Sequence, residues 1–184
     1  MSVIVIEFIT LDGIVEDPDG RGGTPGGGWA FRQGPVAGDK FQLGSVLDEG
    51  VLLLGRTTWR LFGSLWPHRQ DPFSVRMNAA RKLVASRTLT DVSAWENSTL
   101  LKGDLIDAVT REPRDVVVTG SIGIVHTLMA HDLVDEYRLL TFPTALGAGR
   151  PLFPAGNPPT HLKTVATEPA GPAVLTRYTR GVTA

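Results

Sequence analysis

The sequence predicts an α/β fold, a mostly parallel mixed sheet with helices on both faces and an antiparallel hairpin at its C-terminal end. Three observations predict it. Apolar, β-branched runs at residues 2–10, 51–54, 82–85 and 115–119 alternate with helical segments, the pattern of parallel strands joined by crossovers. Two alternating segments, 161–167 and 173–180, flank the turn residues 168–172, which reads as a terminal hairpin. The 184 residues, 42% hydrophobic and 20% charged, suit one domain over 1–184 with a sizeable core.

Residues 2–10 make a core strand that ends in Thr10-Leu11-Asp12-Gly13-Ile14, a strand end followed by turn residues. From 17 to 34 Gly and Pro dominate, and neither a helix nor a central strand survives that composition. Such a loop is either a functional lid or a floppy surface segment. Trp29 and Phe31 favour the lid, since a disordered loop rarely carries two aromatics. Residues 36–47 are expected to be a helix with Phe41, Leu43, Val46 and Leu47 as its apolar set. Asp39 then lies in its first turn, where a carboxylate is favourable by ~0.3–1 kcal/mol without any catalytic role.

Residues 51–54 are four apolar residues in a row, a short strand buried on both faces. Gly55 is expected to turn the chain sharply into a helix that ends near residue 63, followed by a loop at 65–68. A short helix is expected over 73–80, a strand over 82–85, and another short strand near 99–101. A helix over 104–111 takes Asp104 as N-cap and Pro113 as stop. Residues 115–119 form a buried strand, 121–130 a helix and 134–142 a returning strand. Asp135 and Glu136 are expected to face solvent. Residues 143–159 form a Gly/Pro loop.

Three strand ends share one logic. Leu54-Gly55-Arg56-Thr57-Thr58, Val84-Ala85-Ser86-Arg87-Thr88 and Val118-Thr119-Gly120-Ser121-Ile122-Gly123 each run from a strand through small or hydroxyl residues into a turn or helix. A helix that begins there aims unpaired N–H groups and the positive end of its dipole at one point, which suits a phosphate. Each motif alone is better explained by packing. Strands ending at 54, 85 and 119 would place all three turns on one sheet edge and suggest a multiply phosphorylated ligand, a dinucleotide.

Composition excludes other classes. The net charge of −1 provides no general field for nucleic acid or an anionic membrane, so an anion site must be built locally. The absence of cysteine removes disulfides, thiol catalysis and Cys-based metal sites. His68, His126, His131 and His161 lie in unrelated contexts, so no metal is assigned. There is no G-x-S-x-G. The N-terminus enters its strand without a signal-like segment, and the expected location is cytoplasmic.

Taken in order, Thr10-Leu11-Asp12-Gly13, Leu54-Gly55-Arg56-Thr57-Thr58-Trp59, Ala85-Ser86-Arg87-Thr88, Thr119-Gly120-Ser121, Leu133-Val134-Asp135-Glu136-Tyr137-Arg138-Leu139 and Leu146-Gly147-Ala148-Gly149-Arg150-Pro151-Leu152-Phe153 resemble the dihydrofolate reductase-like superfamily. The branch most closely resembled contains the reductase domain of bifunctional riboflavin-biosynthesis deaminase–reductases. The resemblance covers nearly the whole chain. It implies a three-layer αβα, NADPH-binding fold with Gly55, Arg56 and Thr57 along the cofactor phosphates. Ser86 and Arg87 would take the 2′-phosphate, Gly120, Ser121, Ile122 and Gly123 the pyrophosphate, and the segment 20–28 the place of the lid.

The resemblance further implies hydride transfer to a small pyrimidine- or pterin-like substrate, as in a 5-amino-6-(5-phosphoribosylamino)uracil reductase, with Thr10 and Asp12 bordering nicotinamide and substrate. Asp39, 16 residues before Gly55, is the candidate acid. Two departures stand out: Thr119-Gly120 replaces the paired glycines of dihydrofolate reductases, and their Trp-containing acidic helix motif is absent, so folate is not supported. A noncatalytic NADP-binding module or sensor is the alternative. A homodimer is expected from the resemblance and from an apolar C-terminal strand edge that would otherwise invite aggregation.

Overall fold

The computed structural model describes residues 1–34, 36, 38–156 and 159–181. The elements in chain order are β1 (Val3–Thr10), α1 (Ser45–Glu49), β2 (Val51–Gly55), α2 (Arg56–Gly63), α3 (Pro72–Ala79), β3 (Arg81–Ala85), β4 (Ser98–Leu100), α4 (Leu105–Arg111), β5 (Val116–Val118), α5 (Ile122–Ala130), β6 (Glu136–Phe142), β7 (Leu162–Ala170) and β8 (Ala173–Arg180). They build an eight-stranded sheet in the order β4-β3-β2-β5-β1-β6-β8-β7. The pairs β2–β3, β2–β5 and β3–β4 are parallel, whereas β6–β8 and β7–β8 are antiparallel. This is the mixed, mostly parallel sheet with a C-terminal antiparallel pair that the sequence predicts. Among the described residues no helix is long and apolar enough to cross a membrane.

The chain divides into two compact units, Met1–Ile4 with Gln42–Val134 and Val5–Phe41 with Asp135–Ala184. In the first, β2 and β5 are buried at every position, as uninterrupted Val and Leu runs require when both faces are covered. The N-cap of α4 is Asp104, whose carboxylate accepts from Ile106 and Asp107 N–H, and α3 is capped in the same way by Asp71.

An unexpected cation lies inside this unit. Lys82 is 1% exposed because β3 alternates and its register turns residues 82 and 84 inward. Its Nζ donates to the carbonyls of Asn78 (2.7 Å), Ala80 (2.7 Å) and Glu96 (3.1 Å) and lies 4.3 Å from the centre of the Trp95 ring. Two of these carbonyls end α3, so the ammonium also sits at the negative end of a helix. Carbonyls and ring favour the charged form, but burial opposes it and brings the pKa down to about 8.

The expected helix over 36–47 does not form among the described residues of that span; Ala37 lies outside them. Helix begins only at Ser45. Gly38, Gln42 and Gly44 have φ of +69°, +52° and +51°, left-handed values that interrupt an α-helix. Phe41 and Leu43 are both buried, a two-residue spacing that belongs to extended chain. Asp39 therefore lies in a turn ahead of α1 and not in a helix's first turn.

In the second unit Phe8 packs against Phe31, Phe41 and Phe142, with ring centres 5.5–5.9 Å apart. Trp29 meets Phe142 edge-on at 5.6 Å. Glu136, expected in solvent, is instead largely buried. Its Oε1 accepts from Arg138 Nε (2.7 Å) and Arg177 Nε (3.1 Å), while Arg138 Nη1 donates to the Phe41 carbonyl. The cause is register: Arg138 stands opposite Arg177 across β6–β8, and the carboxylate two residues along the same face separates two like charges. Asp135 is the more exposed of the pair, 3.6 Å from Arg180. The terminal turn is tighter than expected, since only Gly171 and Pro172 lie between the strands. Pro169 is tolerated because β7 is an edge strand.

The Lys82 cage yields a pH test. Its folded pKa is depressed, so between about pH 8 and 10.5 the unfolded chain holds more protons and stability rises with pH. Across that window the wild-type protein should gain on the order of 3 kcal/mol relative to Lys82→Met, as read from urea unfolding at pH 7 and 10.5. Parallel pH curves for the two proteins would show that the cage does not depress Lys82.

Candidate functional site

In the first unit β2 and β3 end level, and β5 ends two residues earlier on the same side. Gly55 pairs in register with Ala85, and Leu53 with Val118, so the three motifs do gather on one sheet edge. Helix α2 starts directly at Arg56 and α5 at Ile122. Their N-caps, Gly55 and Ser121, make no side-chain cap hydrogen bond, and neither first turn contains an acidic residue. Each helix start leaves its first N–H groups without helical partners, and here no capping side chain claims them. Side by side, they form an electropositive corner, a setting chemically suited to an oxyanion.

Gly55 serves this corner in a way the sequence does not reveal. It is not a turn residue: φ −78° and ψ 161° are ordinary extended values. What it provides is room. A Cβ at Gly55 would stand 2.5 Å from Ser121 Oγ and 2.9 Å from Ser121 Cβ. Gly120 is constrained twice, by φ +74° and by Thr58 Oγ1, 3.0 Å from where its Cβ would be. The Gly120–Ser121 peptide is cis. Gly123 differs, for a Cβ there would meet nothing within 4 Å, so protein packing does not demand glycine at that exposed helix start.

The cations at the edge divide their work. Arg56 is exposed and its Nη1 donates to Thr88 Oγ1 at 2.6 Å, which ties the start of α2 to the loop after β3. Thr57 is exposed beside it. Ser86 Oγ accepts from Thr88 N–H (3.2 Å) and Leu89 N–H (3.0 Å), which shapes the turn and leaves its own hydroxyl proton to donate. Arg87 is exposed and makes no hydrogen bond or ion pair among the described residues. Thr58 and Thr88 stand inside the motifs read from the sequence, but no local pattern tells which contact either threonine makes.

Thr10, Asp12 and Asp39 belong to the second unit. The Thr10 hydroxyl donates to Asp12 Oδ1 at 2.5 Å and accepts from Ile14 N–H. Asp12 Oδ2 accepts from Leu146 N–H (3.0 Å) and Gly147 N–H (2.6 Å). These bonds, the Thr10 hydroxyl first and the Gly147 N–H next, hold the carboxyl below its usual range. At neutral pH Asp12 is an anion that fastens the end of β1 to the loop after β6.

The glycine-rich loop is anchored rather than floppy. Trp29 is buried, and its Nε1 donates to the Glu16 carbonyl at 2.9 Å. Asp17 gathers Gly22 N–H (2.7 Å), Thr24 N–H (3.0 Å) and the Thr24 hydroxyl (2.9 Å). A Cβ at Gly27 would fall 2.2 Å from Asp17 Oδ2; the glycine lets the loop close on its own carboxylate. Asp17 went unnoticed in the sequence because Asp-Pro-Asp-Gly reads as any turn.

A family model for the RibD C-terminal domain matches residues 1–176. The uncharacterized protein YyaP of Bacillus subtilis (strain 168) is 27% identical over 160 residues, which cover 82% of this chain and 79% of that protein. Among solved structures, a protein from Shewanella sp. PV-4 provisionally assigned to riboflavin biosynthesis superposes with a TM-score of 0.74 at 23% identity, over 99% of this chain and all of the other. A pyrimidine reductase-like protein from Corynebacterium diphtheriae gives a TM-score of 0.57 at 10% identity, over 99% and 92% of the two chains. Both likenesses are of fold.

The contact between Gly55 and Ser121 is open to a direct test. Gly55→Ala should destabilise the protein by ~1–3 kcal/mol, as overpacking does. Ser121→Ala in the same chain should recover only part of the loss, since the Ser121 Cβ stays in the way. Chemical unfolding of the two single variants and the double variant measures it, and full recovery would mean that the hydroxyl alone sets the contact.

Proposed function

The chain belongs to the RibD C-terminal domain family, and from that premise we propose that it is an NADPH-dependent reductase acting on a small pyrimidine- or pterin-like heterocycle. One observation carries the cofactor half of this reading: two adjacent helix N-termini without capping side chains, on an edge that carries Arg56 and Arg87. Gly55, Arg56 and Thr57 then line the phosphates at the start of α2. Gly120, Ser121, Ile122 and Gly123 offer the start of α5 to the pyrophosphate. Ser86 and Arg87 meet the 2′-phosphate, the serine by its remaining O–H and the arginine by paired charge-assisted bonds.

When bound, the cofactor supplies hydride to an electrophilic carbon of the substrate. The chain's own residues orient and protonate. Asp12, held as an anion by Thr10 and Gly147, acts as acceptor and loop latch in this reading and not as acid. The proton that balances the hydride falls to Asp39 or to water. The alternative, a noncatalytic NADP-binding module, shares the phosphate site and differs only in turnover. A homodimer accompanies the proposal, and sedimentation velocity at micromolar protein should give a dimer.

Three measurements test the reading. NADPH at millimolar concentration should raise the melting temperature, as any ligand of the native state must; an unmoved transition ends the dinucleotide reading. Arg87→Ala should weaken NADPH by roughly ten- to a hundredfold and leave NADH nearly unchanged, because a charged hydrogen-bond pair is worth ~1.5–3 kcal/mol. Equal loss for both cofactors would move Arg87 off the 2′-phosphate. Oxidation of NADPH over pterins, pyrimidine ribosylamines and simple carbonyls separates enzyme from sensor.

A further inference from the structure

The second unit contains a cavity of about 270 Å³ between the glycine-rich loop and the loop at residues 146–149. Ile14, Pro25, Leu146 and Ala148 supply its apolar walls, and Glu16 and Thr24 its polar side chains. Both walls are fastened. Thr24 is tied to Asp17 through its N–H and its hydroxyl, and Leu146 to Asp12 through its N–H. Behind them Val15 N–H donates to the Arg150 carbonyl (3.0 Å) and Leu152 N–H to the Gly13 carbonyl (2.9 Å). Gly149 lets the second loop close, since a Cβ there would lie 2.7 Å from Ile14 Cγ2. A cavity whose walls are hydrogen-bonded before a ligand arrives loses little by ordering them.

The chemistry of the lining is one-sided. Among the described residues, Glu16 is the only charged one that lines it. Its carboxylate accepts, among the described residues, a single long bond, from Arg150 N–H at 3.3 Å, while the Thr24 hydroxyl proton is donated to Asp17 and leaves that oxygen only as an acceptor. No cation among the described residues lines the cavity to receive a phosphate or carboxylate. Apolar walls suit the faces of a flat ring, and a carboxylate suits two N–H donors on its edge.

We infer that this cavity is a binding subsite for a small, flat, non-anionic molecule that presents paired N–H donors, with Glu16 as their acceptor. The assignment rests on the reductase reading only in taking that molecule as part of the substrate. It adds a selectivity that the phosphate edge does not have: the portion of the ligand held here carries no phosphate.

The test uses two probes of similar size at slightly acidic pH, 2-aminopyridine, whose protonated ring N–H and amino N–H then stand side by side as the paired donors, and pyridine-2-carboxylate, which is an anion. Isothermal titration of the whole chain should show binding of 2-aminopyridine and none of pyridine-2-carboxylate. Glu16→Gln should weaken 2-aminopyridine by about tenfold or more. Ala148→Trp, a substitution at an exposed position, should fill the cavity and abolish binding even if the Glu16 variant folds poorly. Failure of 2-aminopyridine to bind the wild type, equal binding of the two probes, or indifference to either substitution overturns the inference. NADPH titrated into the same proteins should bind all three alike. Probe binding as described without NADPH binding would sink the reductase reading and leave the subsite standing, and NADPH binding without probe binding would do the reverse.

Discussion

The approach of Gly55 to Ser121 is the constraint on which the edge formed by the two helix starts depends. Two neighbouring parallel strands, β5 two residues shorter than β2 at this end, each lead into a helix, so two helix starts share the space above one strand spacing. That space has no room for a side chain at residue 55, where a Cβ would sit 2.5 Å from Ser121 Oγ. Because the helices start this close together, their N–H groups point at common ground. Their dipoles add there, and a single anion can engage both. The uncapped state of α2 and α5, beside the Asp-capped α3 and α4, follows the same logic. A carboxylate cap at either start would occupy the corner and cancel its charge.

Acidic side chains do different work in the second unit. Asp12 and Asp17 each collect backbone N–H groups and a threonine hydroxyl, and each thereby gives a fixed shape to chain that has no sheet or helix partner. Loops must satisfy their backbone groups somewhere, and in glycine-rich sequence a carboxylate is the most economical acceptor. Glycine is needed beside Asp17 for the complementary reason, since a side chain at residue 27 would displace the carboxylate. The loop resembling a lid is thus pre-shaped around an anion and pinned by the Trp29 indole.

Buried charge in both units is matched by geometry rather than by counting. Lys82 has carbonyls and an aromatic ring for partners, and burial still depresses its pKa. Arg138 has Glu136 and a carbonyl. A lone buried charge would cost several kcal/mol, so each of these positions commits its neighbours to one arrangement.

The sequence by itself determined the element order, the parallel strands and the three turns that share an edge, because hydrophobic period and glycine placement act locally. It also determined Asp104 as a cap and the absence of thiol chemistry. It misjudged 36–47, where Phe41 and Leu43 resemble a helical set until left-handed residues interrupt it, and Glu136, whose exposure depends on a strand it cannot see. Which partner a side chain meets was decided only by tertiary structure. Gly55 is glycine because of Ser121, Asp12 latches backbone N–H groups 134 and 135 positions away, and Lys82 is buried because its strand's register turned it inward. The period of a strand or helix can be read from neighbours in the chain, but a contact between distant residues exists only once the chain has closed on itself.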